Sequence, residues 1–200
     1  MRTRTRVGTV AVLILGATAV AVRAQDAAKD AVAPELERAR AAAAALSTEL
    51  RARLMEEMKA GGPLQGVKVC SEVAPAYAAK HSMDGLAVRR VSEKFRNPAD
   101  EPDAYEAAKL AELAAAHARG ALPAETFEWV GEGQARALRY LKPITIGGPC
   151  LTCHGDPAAM KPEVAAMLRE RYPEDRAVGY RDGDFRGAVS VTVAAPAPAP

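Results

Sequence analysis

ETFEWVGEGQARALRYLK, residues 125–142, decides the fold of this 200-residue chain. Phe127 and Trp129 before Gly131-Glu132-Gly133, and Leu138 and Tyr140 after it, recur at every second position. A period of two puts alternate side chains on opposite faces of a strand, and glycine reverses the chain at low steric cost. The stretch therefore reads as a β-hairpin, Glu125–Val130 with Gln134–Lys142. Working outward, Leu86–Val91 reads as an earlier strand and Phe185–Val193 as a closing one. Upstream the period becomes helical. Asp26–Met58 is Ala-rich and charged, with Leu36, Leu46, Leu50, Leu54 and Met58 at mostly helical spacings, ending at Gly61-Gly62-Pro63. Such an Ala-rich seam is expected to pack on a neighbouring helix or on a second copy of the chain rather than on a cofactor. Leu64–Ala79 reads as a shorter helix bent at Pro75, with Cys70, Val73 and Tyr77 on one face. Arg96–Asp100 reads as a turn. Asp103–Arg119 reads as a third helix, N-capped by Asp103 and closed by Gly120. Helices followed by antiparallel strands, without regular βα alternation, predict an α+β domain on one sheet of four or five strands.

The ends of the chain carry different information. Arg2, Arg4 and Arg6 precede an apolar run from Val10 to Val22, and small residues at Val22 and Ala24 stand before Gln25. This is the layout of a secretory signal peptide, residues 1–24, and the run is short for a retained membrane span of about 20 residues. Only an uncleaved segment would leave the chain on a membrane; the expected location is the periplasm. Residues 25–193 are then the folded domain. Ala194–Pro200 is Pro/Ala-rich and reads as a disordered tail. The chain has 27 Lys and Arg against 25 Asp and Glu. Four of those arginines lie in residues 1–24 with no acid, so 23 remain against 25, a net charge of −2. With no basic stripe interleaved with aromatics, nucleic acid is not an expected partner.

Chemistry concentrates in Cys150-Leu151-Thr152-Cys153-His154. Cys-x-x-Cys-His is the attachment pattern for a c-type haem. Two thiols at this spacing reach the two vinyl groups of one porphyrin edge, and the next residue presents a neutral imidazole to the iron. A thioredoxin-like redox pair is the first rival, but that pair follows a strand in a βαβ unit, and here Gly147-Gly148-Pro149 precedes. Structural zinc is the second, and it normally needs four ligands. The motif predicts one covalent haem on Cys150 and Cys153, with His154 as its proximal metal ligand. Cys70 is left without a partner thiol. The sixth iron position is open among Cys70, His81, His117, Met83, Met160 and Met167; His117 is expected to be solvated, and Met160 follows His154 too closely to cross to the other haem face.

Several segments together resemble the PAS-like, single-haem c-type cytochrome family of exported bacterial proteins and sensor modules. They are Val69-Cys70-Ser71, Val88-Arg89-Arg90-Val91-Ser92, Phe95-Arg96-Asn97-Pro98, Tyr140-Leu141-Lys142-Pro143-Ile144, Cys150–Gly155, and Tyr172-Pro173 through Gly187-Ala188-Val189. Asp100 stands where that family often has Asn, and the Pro/Ala tail is particular to this chain. The resemblance implies a PAS-like antiparallel sheet flanked by helices, and iron ligated by Cys70 as well as His154. It also implies Arg89, Arg90 and Lys142 as partners for the haem propionates, since cations suit those carboxylates.

Two functions compete on these residues. In a redox or small-ligand sensor, thiolate ligation would favour ferric iron, and a displaced Cys70 would signal to a separate partner protein or admit a diatomic ligand. In a periplasmic electron-transfer cytochrome c, an exposed haem edge would serve a redox partner and both ligands would stay. No distal acid or base stands out in the sequence, so an enzyme is not expected.

Overall fold

A computed structural model of the chain describes residues 34–196; the expected signal peptide, the start of the first helix and the last four residues of the tail lie outside them. The long helix α1 spans Pro34–Gly61. Next come α2 (Pro63–Lys68), a π-helical turn (Val69–Val73) and α3 (Ala74–Lys80) in one continuous rod. Strand β1 (Leu86–Val91) and helix α4 (Ala104–Ala118) follow, then strands β2 (Thr126–Val130) and β3 (Ala137–Thr145). The chain ends with the short α5 (Leu151–His154), α6 (Pro162–Arg171) and β4 (Phe185–Ala194).

The fold is α+β. Four antiparallel strands form one sheet in the order β1-β4-β3-β2, with helices on both faces. The hairpin is present, but a short 3-10 turn at Gly133–Ala135 delays its second strand to Ala137, and that strand continues through Pro143 to Thr145. Pro143 is tolerated because it lies past the last β2 pair, Thr126 with Leu141, where β3 has a neighbour on one side only. β4 runs one residue further than expected, and Ala195 still donates to the Arg136 carbonyl at 2.9 Å.

Alternation along the strands assigns the two faces. Val88 of β1, Leu138 and Tyr140 of β3, and Val189, Val191 and Val193 of β4 share one face, which α1 covers with Leu36, Ala39, Ala42, Ala43 and Leu46. The Ala-rich seam thus packs on the sheet as far as Leu46, and further along Leu50 and Leu54 pack on the neighbouring helical rod at Val69, Val73 and Ala74, as the sequence indicates. Small side chains let the helix axis approach the strands closely, and burying each leucine contributes about 1.5–3 kcal/mol. The Tyr140 hydroxyl, carried into this core, donates to Glu125 Oε2 at 3.0 Å, and Arg40 of α1 donates to the same carboxylate at 2.9 Å.

On the other face Val91, Leu141 and Ala188 pack against Leu110 and Leu113 of α4. Asp103 caps α4 as the sequence indicates, within a reciprocal box: Glu106 N–H donates to Asp103 Oδ1 at 2.7 Å, and Asp103 N–H donates to Glu106 Oε2 at 2.9 Å. Glu106 is buried, and Arg89 reaches it from β1 at 2.8 Å. Glu106→Gln removes the charge on which this contact depends. It is expected to lower unfolding free energy by about 1.5–3 kcal/mol, read as a lower denaturant midpoint at unchanged slope.

Among the described residues no helix is long and apolar enough to cross a membrane.

Candidate functional site

Beyond Leu46, α1 leaves the strands and overhangs the end of the sheet. Leu50, Leu54 and Met58 of α1, Val67 of α2, and Ile144 and Val189 of the sheet enclose a cavity of about 530 Å³. That lies inside the roughly 300–1,000 Å³ range of cofactor sites. So the first half of α1 packs on strands, while its second half walls a cavity, a division its uniform Ala-rich composition does not show.

Cys70, Cys150, Cys153 and His154 all line this cavity, and all three cysteines are free thiols. Cys70 arrives on the π-helical turn. Pro75 has no N–H to offer the Ser71 carbonyl, and Ala74 N–H instead bonds five residues back to Val69. The bend expected at Pro75 is therefore a widened turn, and Cys70 sits in it. Cys150 and Cys153 come from a 3-10 turn at Gly148–Cys150 running into α5. Burial pushes the Cys153 thiol up, so it stays protonated at neutral pH.

His154 is held by a strap, residues 175–180, that runs beside the motif. The ring Nδ1 lies 2.7 Å from the Ala177 carbonyl oxygen. A carbonyl can only accept, so Nδ1 carries the proton and Nε2 keeps the lone pair. Tyr180 N–H donates to the His154 carbonyl at 3.0 Å and Gly179 N–H to the Gly155 carbonyl at 2.8 Å. Burial above all, and then the nearby charges of Arg96 and Arg186, lower the imidazole pKa to about 3. The ring is neutral at any ordinary pH, the form that ligates a metal.

Arg90 and Lys142 also line the cavity, as neighbours of Val189 in the sheet register. Arg89 does not join them. Consecutive residues of a strand face opposite ways, and Arg89 lies on the α4 face with Glu106. Two other arginines take part that the motif reading passes over. Arg96 is 6% exposed and ties the motif to the strap. Arg186 lines the cavity, donates to Ser92 Oγ, and has its pKa lowered by burial. It arrives there through a β-bulge: Ile144 pairs with Gly187 but Thr145 pairs with Phe185, so Arg186 is the extra residue. Phe185 accordingly packs on the α4 side, and Arg186 turns to the other. Asp100 is the acidic residue at this wall, 3.6 Å from Arg90, with its carboxyl pushed up by burial.

The remaining candidates for the sixth position lie elsewhere. His81 Nε2 is 3.2 Å from Glu49 Oε2, within ion-pair reach though not aligned as a hydrogen bond. His117 Nε2 contacts the Gly183 carbonyl at 2.9 Å, Met83 is exposed, and Met160 and Met167, the latter on α6 itself, pack in the cluster of Val67, Val164, Leu168 and Tyr172. These residues fit the group expected from the sequence: a large apolar slot, two free thiols, a neutral imidazole with its lone pair free, and Arg90, Arg186 and Lys142 for carboxylates.

The Tll0287-like family matches residues 17–194. Among solved structures, a cyanobacterial haem protein, Tll0287, is 30% identical with a TM-score of 0.50, over 66% of this chain and 73% of that one. No curated protein matches.

Proposed function

The chain belongs to the Tll0287-like family, and on that premise we propose that it is an exported cytochrome with one haem bound covalently. Cys150 and Cys153 hold the group, and His154 and Cys70 ligate its iron. The observation that carries the reading is the meeting of all three thiols and His154 around one cofactor-sized cavity. When bound, the haem supplies a one-electron couple at iron. The chain supplies the rest. Cys150 and Cys153 are the thiols that would hold the group, each by adding S and H across one vinyl double bond, an addition that would lose no atom and need no oxidant. His154 gives the Nε2 lone pair, held in one tautomer by Ala177. Arg90, Arg186 and Lys142 bind the propionate carboxylates. Leu50, Leu54 and Val67 exclude water from the ring. Intact mass of the exported protein tests the reading: the polypeptide from Gln25 plus one haem is expected, and a bare chain or bound zinc would overturn it.

Within this reading the protein is a redox or small-ligand sensor, with Cys70 as the ligand that changes. Cys70 sits in a π-helical turn, an irregularity common at functional sites, and that turn joins two helices able to carry a displacement to a separate partner. Cys70→Ala is expected to keep haem attachment, shift the ferric spectrum to high spin or a substitute ligand, and raise the midpoint potential. His81→Ala is expected to do neither. Electronic and EPR spectra decide, and the reverse pattern would identify a bis-histidine cytochrome. Exposed Arg51, Met55 and Lys142 at the cavity rim favour a second reading, a periplasmic electron carrier. A carrier keeps both ligands on reduction, whereas a sensor loses Cys70.

A further inference from the structure

We propose that Arg96 is a positioning residue that sets the strength of the hydrogen bond made by His154, by sharing its acceptor; the inference rests on the haem reading above. Arg96 does not line up with the propionate-binding arginines in what it touches. Its Nε donates to Asp175 Oδ2 at 3.0 Å, and its Nη2 donates to the Cys153 carbonyl and, at 3.2 Å, to the Ala177 carbonyl. One guanidinium thus bonds the backbone of the attachment motif and two residues of the strap. The Ala177 oxygen that it meets is the one that accepts from His154 Nδ1 at 2.7 Å. A carbonyl oxygen has two lone pairs, and here a cation takes one and an imidazole the other.

Sharing has a definite sign. A ligating imidazole becomes a stronger electron donor as the acceptor at its second nitrogen strengthens. A carbonyl polarised by a guanidinium is a weaker acceptor, so Arg96 restrains the donor strength of His154. Its buried positive charge acts the same way, disfavouring the more positive ferric iron, and Asp175 offsets part of that charge. A buried guanidinium is costly to desolvate, and the three acceptors gathered around it give it a reason to be there that an apolar residue could not meet.

The experiment measures haem content and midpoint potential in the full-length, haem-loaded wild type and in Arg96→Met, Arg96→Lys and Asp175→Asn. Arg96→Met removes charge and both carbonyl bonds. It is expected to shift the ferric-to-ferrous ratio at fixed potential about tenfold toward ferric, which is about 59 mV downward for a one-electron couple. Arg96→Lys keeps the charge without the planar fork and is expected to fall between. Asp175→Asn leaves the Arg96 charge unopposed and is expected to move the potential upward. A purely structural Arg96 would lower the yield of loaded protein and leave the potential of the loaded fraction unchanged. That result overturns the proposal, as does Asp175→Asn moving in the same direction as the Arg96 variants. Should Arg96→Met give no loaded protein, Arg96→Lys and Asp175→Asn decide, and an unchanged potential in both overturns it. A wild type without haem overturns the haem reading as well; a loaded wild type with a flat series overturns only the role of Arg96.

Discussion

Replacing Cys150 and Cys153 together by alanine is expected to give a chain with the mass of the bare polypeptide, whose haem, if any is retained, leaves on acidified organic extraction. Each thiol lines the cavity and neither is spent in a disulfide, so both are available for thioethers, and the sequence has no second Cys-x-x-Cys-His motif to replace them. Either single variant keeps one thioether, and its haem should survive extraction. The loss is chemical and not a consequence of unfolding. Cys153 packs with Val67, Leu168 and Tyr172, and trimming one buried sulfur to a methyl costs on the order of 1 kcal/mol. Intact mass before and after extraction reads the result. A double variant that still carries haem through extraction would show attachment at another residue.

Gly187→Val is expected to have the largest effect on stability. Gly187 has φ +143°, and a Cβ there would lie 2.2 Å from the Val91 carbonyl oxygen and 3.0 Å from Ser92 Cβ. Both neighbours belong to β1 or its continuation, paired directly to β4, so neither can retreat without opening the sheet. Backbone strain of about 1–3 kcal/mol adds to overpacking of about 1–3 kcal/mol. A loss of about 4 kcal/mol is a large part of a typical 5–15 kcal/mol total. The same residue shapes the bulge that turns Arg186 into the cavity, so haem content should fall along with the denaturant midpoint. Gly179→Ala is the control: φ is +76°, but nothing lies within 4 Å of the added carbon, and a loss of about 1 kcal/mol is expected from backbone strain alone. Equal losses in the two variants would refute the steric argument.

How much of this was legible in the sequence depends on how local the cause is. The Asp103 cap, the β1 strand and the hairpin follow from residues within one or two turns of each other, and the structure has all three. The Cys150–His154 motif is legible as a candidate attachment site because the spacing alone brings two thiols and an imidazole together. Arg89 and Arg90 show where local reading runs out. Alternation separates them onto two faces, but which face holds the cavity depends on where α1 lands. Arg186 was less legible still, since period two counted back from Val189 puts it on the α4 face. Only the bulge at Ile144/Thr145 reverses that parity, and a bulge is written in the pairing of two strands, not in either alone. Arg96 sits in a segment that read as a plain turn, and its partners Cys153, Asp175 and Ala177 are 57 to 81 residues away. The Ala-rich helix carried the right spacing without naming the surface it would meet.

The strand order has a consequence for how the molecule comes into being. β4 is made last, yet it lies between β1 and β3 and pairs with both along their length. Before residue 185 is synthesised, β1 stands alone and the β2–β3 hairpin is bare on both edges, so neither piece is a stable sheet. The sheet therefore cannot be assembled until the last strand has been made. The contacts that close the structure join positions as much as 107 residues apart, as Leu86 with Val193, and the entropy of closing so long a loop is met before they form. Growing chains cannot settle early around a half-built cavity. Arg186, which completes its polar wall, is delivered by the last strand to be made.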